Sequence, residues 1–262
     1  MFTNFTRVCT AAGIVTFAGL ASVPVQAFEP ENPECIAPSN PGGGWDFICR
    51  TTAKFLFDLE MTEDTMQVTN MSGGGGGVAF AHVTQERNDD DNLIVAASMS
   101  TSARIAQGVY EGATKEDVHW LATFGAEYGA IAVKTDSPFQ SLNDMMDAIL
   151  EDPRSVGIAG GSSVGSYDHI KPMLVAQAAG LEDVTQLKYV SFSGGGEAMT
   201  GLLSGATEAL SGDFSEMLGF IESGDIRILA ILAPERMENF PDVPTAKEQG
   251  YDVVGANWRG LY

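Results

Sequence analysis

The sequence predicts an α/β fold built on parallel sheets, and three observations carry that prediction. Apolar runs of strand length alternate with segments of helical period along most of the chain. The strand-like runs end repeatedly in Gly/Ser turns that open helices, the pattern of strand–helix–strand units. A length of 262 residues with 44% apolar content supplies a core for one large domain or two small ones.

Residues 35–39 read as the first strand, after the polar stretch 29–33. Pro41-Gly42-Gly43-Gly44-Trp45-Asp46 follows and is the most informative segment of the chain. Its glycines remove side chains from the turn, so a ligand can approach the backbone. The next helix, 45–59, places Trp45, Ile48, Cys49, Thr52, Phe55, Leu56 and Leu59 on one face. Its first free N–H groups and dipole point at the same turn, which suits an anion without a charged side chain. Residues 66–69 read as a strand, 73–77 as a five-glycine turn leading into 78–83, and 88–92 as an acidic connector. Residues 93–97 read as a buried strand, and 98–102 as a hydroxyl-rich turn and helix start.

A strand over 128–134 stops at Asp136-Ser137-Pro138, and Ser141 with Asp144 forms a capping-box pattern before an apolar helix. The strand 156–159 ends in a Gly/Ser turn, 160–166, and a helix runs on to about 179. Further strands are read at 187–192, 208–211 and 226–232, with helices at 197–203 and 215–222. Ligands in such folds sit beyond the carboxyl ends of the strands. The glycine turns near 42 and 161 are assigned to two separate sheets. No internal repeat is visible beyond this shared grammar.

Residues 1–27 read as a cleaved signal peptide: Arg7, an apolar run over 8–23, then Val25-Gln26-Ala27 as a small-x-small site. The run is shorter than the roughly 20 residues of a membrane span. The formal net charge is −21, and loss of the leader removes only Arg7 among the charged residues. Such a chain repels phosphate backbones, which excludes nucleic acid as a partner. Cys35 and Cys49 remain after cleavage. An even pair in an exported chain suggests a disulfide across the glycine turn, with two buried thiols as the alternative.

Gly161-Ser162-Ser163-Val164-Gly165 matches the G-x-S-x-G nucleophile elbow of serine hydrolases. The one later histidine, His169, sits in the same helix, so no triad in that chain order forms. The better reading is a Gly/Ser turn that presents N–H and O–H donors. Residues 73–79 give only a weak G-x-G-x-x-A match for dinucleotides, and no P-loop is present. His82, His119 and His169 are scattered, so neither metal nor cofactor is expected. Asp46 either shapes its own loop or bonds a ligand hydroxyl, and Asp213, ending a strand on the ligand side, is equally ambiguous. Arg50, Lys54 and Lys171 are candidate cations near the cleft, each read first as a solvated side chain.

The Pro41–Asp46 turn and the 73–77 glycines resemble the substrate-binding proteins of tripartite tricarboxylate transporters, the TctC or Bug family. So do Arg227-Ile228-Leu229-Ala230, Phe240-Pro241-Asp242-Val243-Pro244-Thr245 and Trp258-Arg259-Gly260-Leu261. Trp45 and the cysteine pair resemble the citrate-type branch. The resemblance implies a type II periplasmic-binding-protein fold, with two α/β domains joined by two crossing strands: residues 28–128 plus 250–262, and 129–249. It implies a monomeric periplasmic receptor for a small carboxylate, a di- or tricarboxylate such as citrate, that serves membrane permease subunits. A ligand sensor for a signalling partner is the further alternative. By position, the first-domain contacts would be Ser39, Gly43, Gly44, Asp46, Ser100 and Thr101. The second-domain contacts would be Gly161, Ser162, Ser163, Ser166, Ser193 and Asp213. Family members continue past Trp-Arg-Gly-Leu, so a C-terminal segment is expected to be missing here.

Overall fold

A computed structural model describes residues 30–262; the expected leader lies outside the described residues. Strands β1 (Glu34–Ala37), β2 (Gln67–Asn70) and β3 (Leu93–Ser98) pair in parallel, with β1 central. Helices α1 (Gly44–Asp58) and α2 (Gly77–Glu86) connect them, and α3 (Met99–Ala106) follows β3. The same arrangement recurs later, with β5 (Ile158–Gly160) central between parallel β6 (Tyr189–Ser191) and β7 (Ala209–Asp213). Helix α4 (Leu142–Glu151) precedes that group, and α5 (Tyr167–Ala178) and α6 (Gly195–Leu203) connect it. The helix read over 215–222 is a 3-10 turn, Phe214–Met217, running into the short α7 (Leu218–Glu222).

The two parallel groups are not separate sheets. Strand β4 (Ala122–Lys134) pairs antiparallel with β9 (Ala256–Leu261) over its first half. Its second half pairs antiparallel with β7 and with β8 (Ile226–Ile231). Strand β9 in turn pairs with β3, so one path runs β2-β1-β3-β9-β4-β7-β5-β6. Thirteen residues in one strand reach roughly 40 Å, long enough to serve both groups. The sheet is therefore mixed, and the expected short strand at 128–134 is the second half of a crossing strand.

Alternation places apolar side chains on both faces of each group, as strands covered on two sides require. Ile131 and Val133 of β4 pack with the α4 residues Leu142, Met145, Met146 and Ile149. Ala130 and Ala132 pack on the opposite face with Ala198, Met199 and Leu202 of α6. Cys35 and Ala37 pack under α1, while Ile36 meets Phe80 of α2 on the other side. Cys35 and Cys49 are joined by a disulfide with a Cα separation of 5.5 Å, tying β1 to α1. Among the described residues no helix is long and apolar enough to cross a membrane.

Candidate functional site

The turns after β1, β5 and β6 converge on one cavity of about 190 Å³, which opens between the two strand groups. Helices α1, α5 and α6 all begin at this cavity, at Gly44, Tyr167 and Gly195. First-turn N–H groups have no acceptor within their helix and carry the positive end of its dipole. At α5 two of these donors are already met: Tyr167 N–H by Ser100 Oγ at 3.4 Å and Asp168 N–H by Ser162 Oγ at 3.1 Å. Both hydroxyls keep a proton to donate. Ser39 Oγ and Ser166 Oγ are buried in the cavity wall with no hydrogen-bond partner among the described residues, so they stand ready for a guest.

Glycine serves contact distance here. A Cβ on Gly44 would collide with the Arg259 guanidinium, and one on Gly161 would strike the backbone of Gly195. The α1 turn thus lies flat against Arg259, and the turn after β5 lies flat against the start of α6.

Ser39, Gly43, Gly44 and Ser100 line the cavity from the first strand group. Gly161, Ser162, Ser163, Ser166, Ser193 and Asp213 line it from the second. Asp46 and Thr101 lie off the wall, held by their own loops. Asp46 Oδ2 accepts from Gly42 N–H and from Arg50 Nε, both at 2.9 Å, and Oδ1 accepts from Asn70 Nδ2 at 2.9 Å. Burial raises the Asp46 pKa, but these bonds outweigh it and hold the carboxyl below its usual range. Thr101 Oγ1 accepts from Ser98 N–H at 3.2 Å and closes a capping box on α3. Ser163 and His169 form no catalytic pair, because His169 Nδ1 accepts from Gly165 N–H at 3.0 Å.

Charged side chains also reach the cavity or stand behind its wall, and of these the sequence reading missed Glu127, Glu216 and the part played by Arg259. Arg259 donates from Nε to Glu127 at 2.7 Å and from Nη2 to Asp213, and it is mostly buried. Burial opposes its charge, yet Asp213 and Glu127 outweigh burial and raise its pKa. Asp213 also accepts from Asn257 Nδ2 at 2.8 Å. Lys171, read first as a solvated side chain, is instead fully buried behind the wall, where it donates to the Gly212 carbonyl at 2.7 Å and pairs with Asp168 at 2.8 Å. Glu216 faces the same space; burial first, then Asp213 and Asp168, push its carboxyl up to about 8. The expected side-chain-neutral pocket is therefore charged. The one signal for Arg259 lay in Trp258-Arg259-Gly260-Leu261, whose role appears only once β9 pairs with β4.

A family model described as the tripartite tricarboxylate transporter family receptor matches residues 59–262. The chain is 28% identical to the protein BugT of Bordetella pertussis, over 97% of this chain and 78% of that one. Among solved structures, MatC of Rhodopseudomonas palustris with bound malate superposes with a TM-score of 0.77. The identity is 22%, over 88% of this chain and 76% of MatC. A protein of R. palustris with adipate superposes at 0.76 and 21% identity, over 88% and 75%. The periplasmic binding protein BugD superposes at 0.75 and 21%, over 88% and 76%. These likenesses establish the type II binding-protein fold, which houses a cleft between two α/β halves.

Proposed function

The chain belongs to the tripartite tricarboxylate transporter receptor family, and from that premise we propose that it is an exported solute receptor for a small organic carboxylate. It is a substrate-binding protein and not an enzyme, as the family is. In this reading the leader is removed near Ala27, and the mature monomer works in the periplasm. It hands its guest to membrane permease subunits.

The observation that carries the reading is the wall formed by Gly43, Gly44 and Arg259. A helix N-terminus and a guanidinium there meet at one point of the cavity. Arg259 has five N–H donors, and two are bound to Glu127 and Asp213. Hydrogen bonds to a charged acceptor are worth roughly 1.5–3 kcal/mol each, and the helix end adds about 0.3–2 kcal/mol. A few such contacts, less the cost of association, give affinities on the order of micromolar. The malate and adipate held by two structural neighbours support a carboxylate as the guest class. Residues 28–128 with 250–262, and residues 129–249, would form the two lobes that shut on it, with β4 and β9 as the crossing strands.

Gly44→Ala tests the reading. The φ/ψ of a helix start accepts alanine, but its Cβ forces the Arg259 guanidinium away. Titration calorimetry is expected to show carboxylate affinity falling on the order of tenfold or more, with far-UV circular dichroism unchanged. Unaltered affinity in a folded variant removes the α1 turn from the site.

A further inference from the structure

The five-glycine run spends its later N–H groups on itself. Gly76 N–H and Val78 N–H both donate to the Gly73 carbonyl, at 3.0 and 3.4 Å, and Gly77 N–H donates to the Gly74 carbonyl. Ser72, Gly73, Gly74 and Gly75 nonetheless line the cavity from the first strand group. The run thus serves the cavity as a wall of bare backbone. Gly73 to Gly76 all have φ between 57° and 134°, a region that glycine alone enters freely. Such a segment has no side chains with which to fix its own place, and glycine has the most backbone freedom to lose.

One side-chain hydrogen bond reaches residues 73–77 among the described residues: Tyr110 Oη donates to the Gly75 carbonyl at 2.6 Å. Tyr110 follows α3, is 6% exposed, and packs against Phe80 of α2 with ring centroids 5.4 Å apart. Burial pushes its hydroxyl up to about 12 against the opposing field of Arg104, so it keeps the proton it donates. Its ring lies over Gly77, where a Cβ would meet Cδ1 at 3.0 Å. Gly75 also faces the second strand group. A Cβ on it would stand 2.8 Å from Ser163 Oγ, so the serine rests on the glycine with no room for a methyl group. One glycine is therefore held by a phenol of the first group and met by a hydroxyl of the second.

We propose that Tyr110 is a positioning residue for closure of the cavity. Through its bond to Gly75 it holds the glycine turn at the place where Ser163 of the second strand group meets it. Tyr110 does not line the cavity itself. Its role rests on the reading of this cavity as the guest site, and not on which guest enters.

Tyr110→Phe keeps the ring and its packing and removes only the bond. Hydrogen–deuterium exchange of the full chain without ligand, followed by mass spectrometry, reads the consequence. Exchange is expected to quicken about two- to twelvefold, the reach of one hydrogen bond, in peptides covering 73–80. The same is expected across the cavity in peptides covering 160–168, where Gly165 N–H is bonded to His169 Nδ1 and Ser166 N–H to the Ser163 carbonyl. Peptides of α4 should not change. In titration calorimetry, affinity for malate or adipate, whichever the wild type binds, should fall by a similar factor. A merely local brace quickens 73–80 alone, and that result overturns the proposal. So does unchanged exchange in both regions, or unchanged affinity for a probe that the wild type binds. Should the variant fail to fold, Ser163→Gly approaches from the other group: exchange at 73–80 is expected to quicken, and an unaltered rate there overturns the proposal. Failure of both acids to bind the wild type tells against the carboxylate reading alone, and exchange across the cavity still decides the role of Tyr110.

Discussion

Glu216 is a carboxylic acid at the cavity wall that is held well above its ordinary range. Burial first, then Asp213 and Asp168, push its carboxyl up to about 8 from an ordinary value of 4.5. The native state therefore keeps a proton that the unfolded chain gives up above about 4.5. The resulting stabilisation is complete below about 4.5 and is lost progressively as pH rises through about 8. Glutamine imitates the protonated form. Glu216→Gln is expected to flatten the decline of Tm over that window and to be the more stable protein above about pH 8, as thermal denaturation across a pH series will read. A decline of equal slope in both proteins assigns the titration to another group. At this scale the glycines and hydroxyls of the site were legible, because turns that admit a backbone contact announce themselves by composition. Arg259 and Glu216 were not, since an isolated charged residue gives no sign of whether it points to solvent or into a cavity. Asp46 was half legible: its place at the helix start was right to notice, and its bonds go to Gly42 and Asn70.

Local signals decided the elements that were read well. Ser141 and Asp144 exchange the two capping-box bonds, Ser141 Oγ accepting from Asp144 N–H at 3.1 Å and Asp144 Oδ2 accepting from Ser141 N–H at 2.9 Å. Strands β1, β3 and β8 carry apolar runs that say strand without help from a partner. The first half of β4 and all of β9 gave no such signal. They hold Gly125 and Gly260, and β4 is exposed over its first five residues. Their register, Ala122 against Leu261 and Tyr128 against Ala256, joins segments more than a hundred residues apart. Such a pairing is set by tertiary contact, which weak local preference does not oppose. The cysteine bridge belongs to this scale too, because it closes a 14-residue separation around the α1 turn. Loops of this size stabilise by about 3 kcal/mol when crosslinked. Reduction, or Cys49→Ser, is expected to cost about 2–4 kcal/mol in denaturant unfolding. A loss under about 0.5 kcal/mol would mean that helix packing alone holds the turn in place.

The whole molecule depends on how its two strand groups meet across the cavity. Besides the Tyr167 N–H bond to Ser100 Oγ, side-chain bonds cross it away from the charged wall. Arg104 Nη1 donates to the Val164 carbonyl at 2.8 Å, Gln107 Nε2 to the Gly165 carbonyl at 2.9 Å, and Asn40 Nδ2 to Glu197 Oε1 at 2.8 Å. Two of them come from the C-terminal end of α3 and reach the turn before α5, placed as a latch beside the site would be. They are also modest: a hydrogen bond nets about 0.5–1.5 kcal/mol, and these are solvent-exposed. A latch of that size biases closure without locking it, and a guest that contacts both groups supplies the rest. The backbone of β4 passes unbroken from β9 to β7, with the switch of partners at Tyr128 and Gly129. The double variant Arg104→Ala with Gln107→Ala removes the latch and leaves the cavity walls intact. Small-angle scattering should then show a larger radius of gyration in the free protein and an unchanged one at saturating ligand. Affinity should fall by roughly five- to 150-fold, the reach of two such bonds. Equal radii for the free variant and the free wild type, at equal affinity, would show that Arg104 and Gln107 do not hold the two groups together.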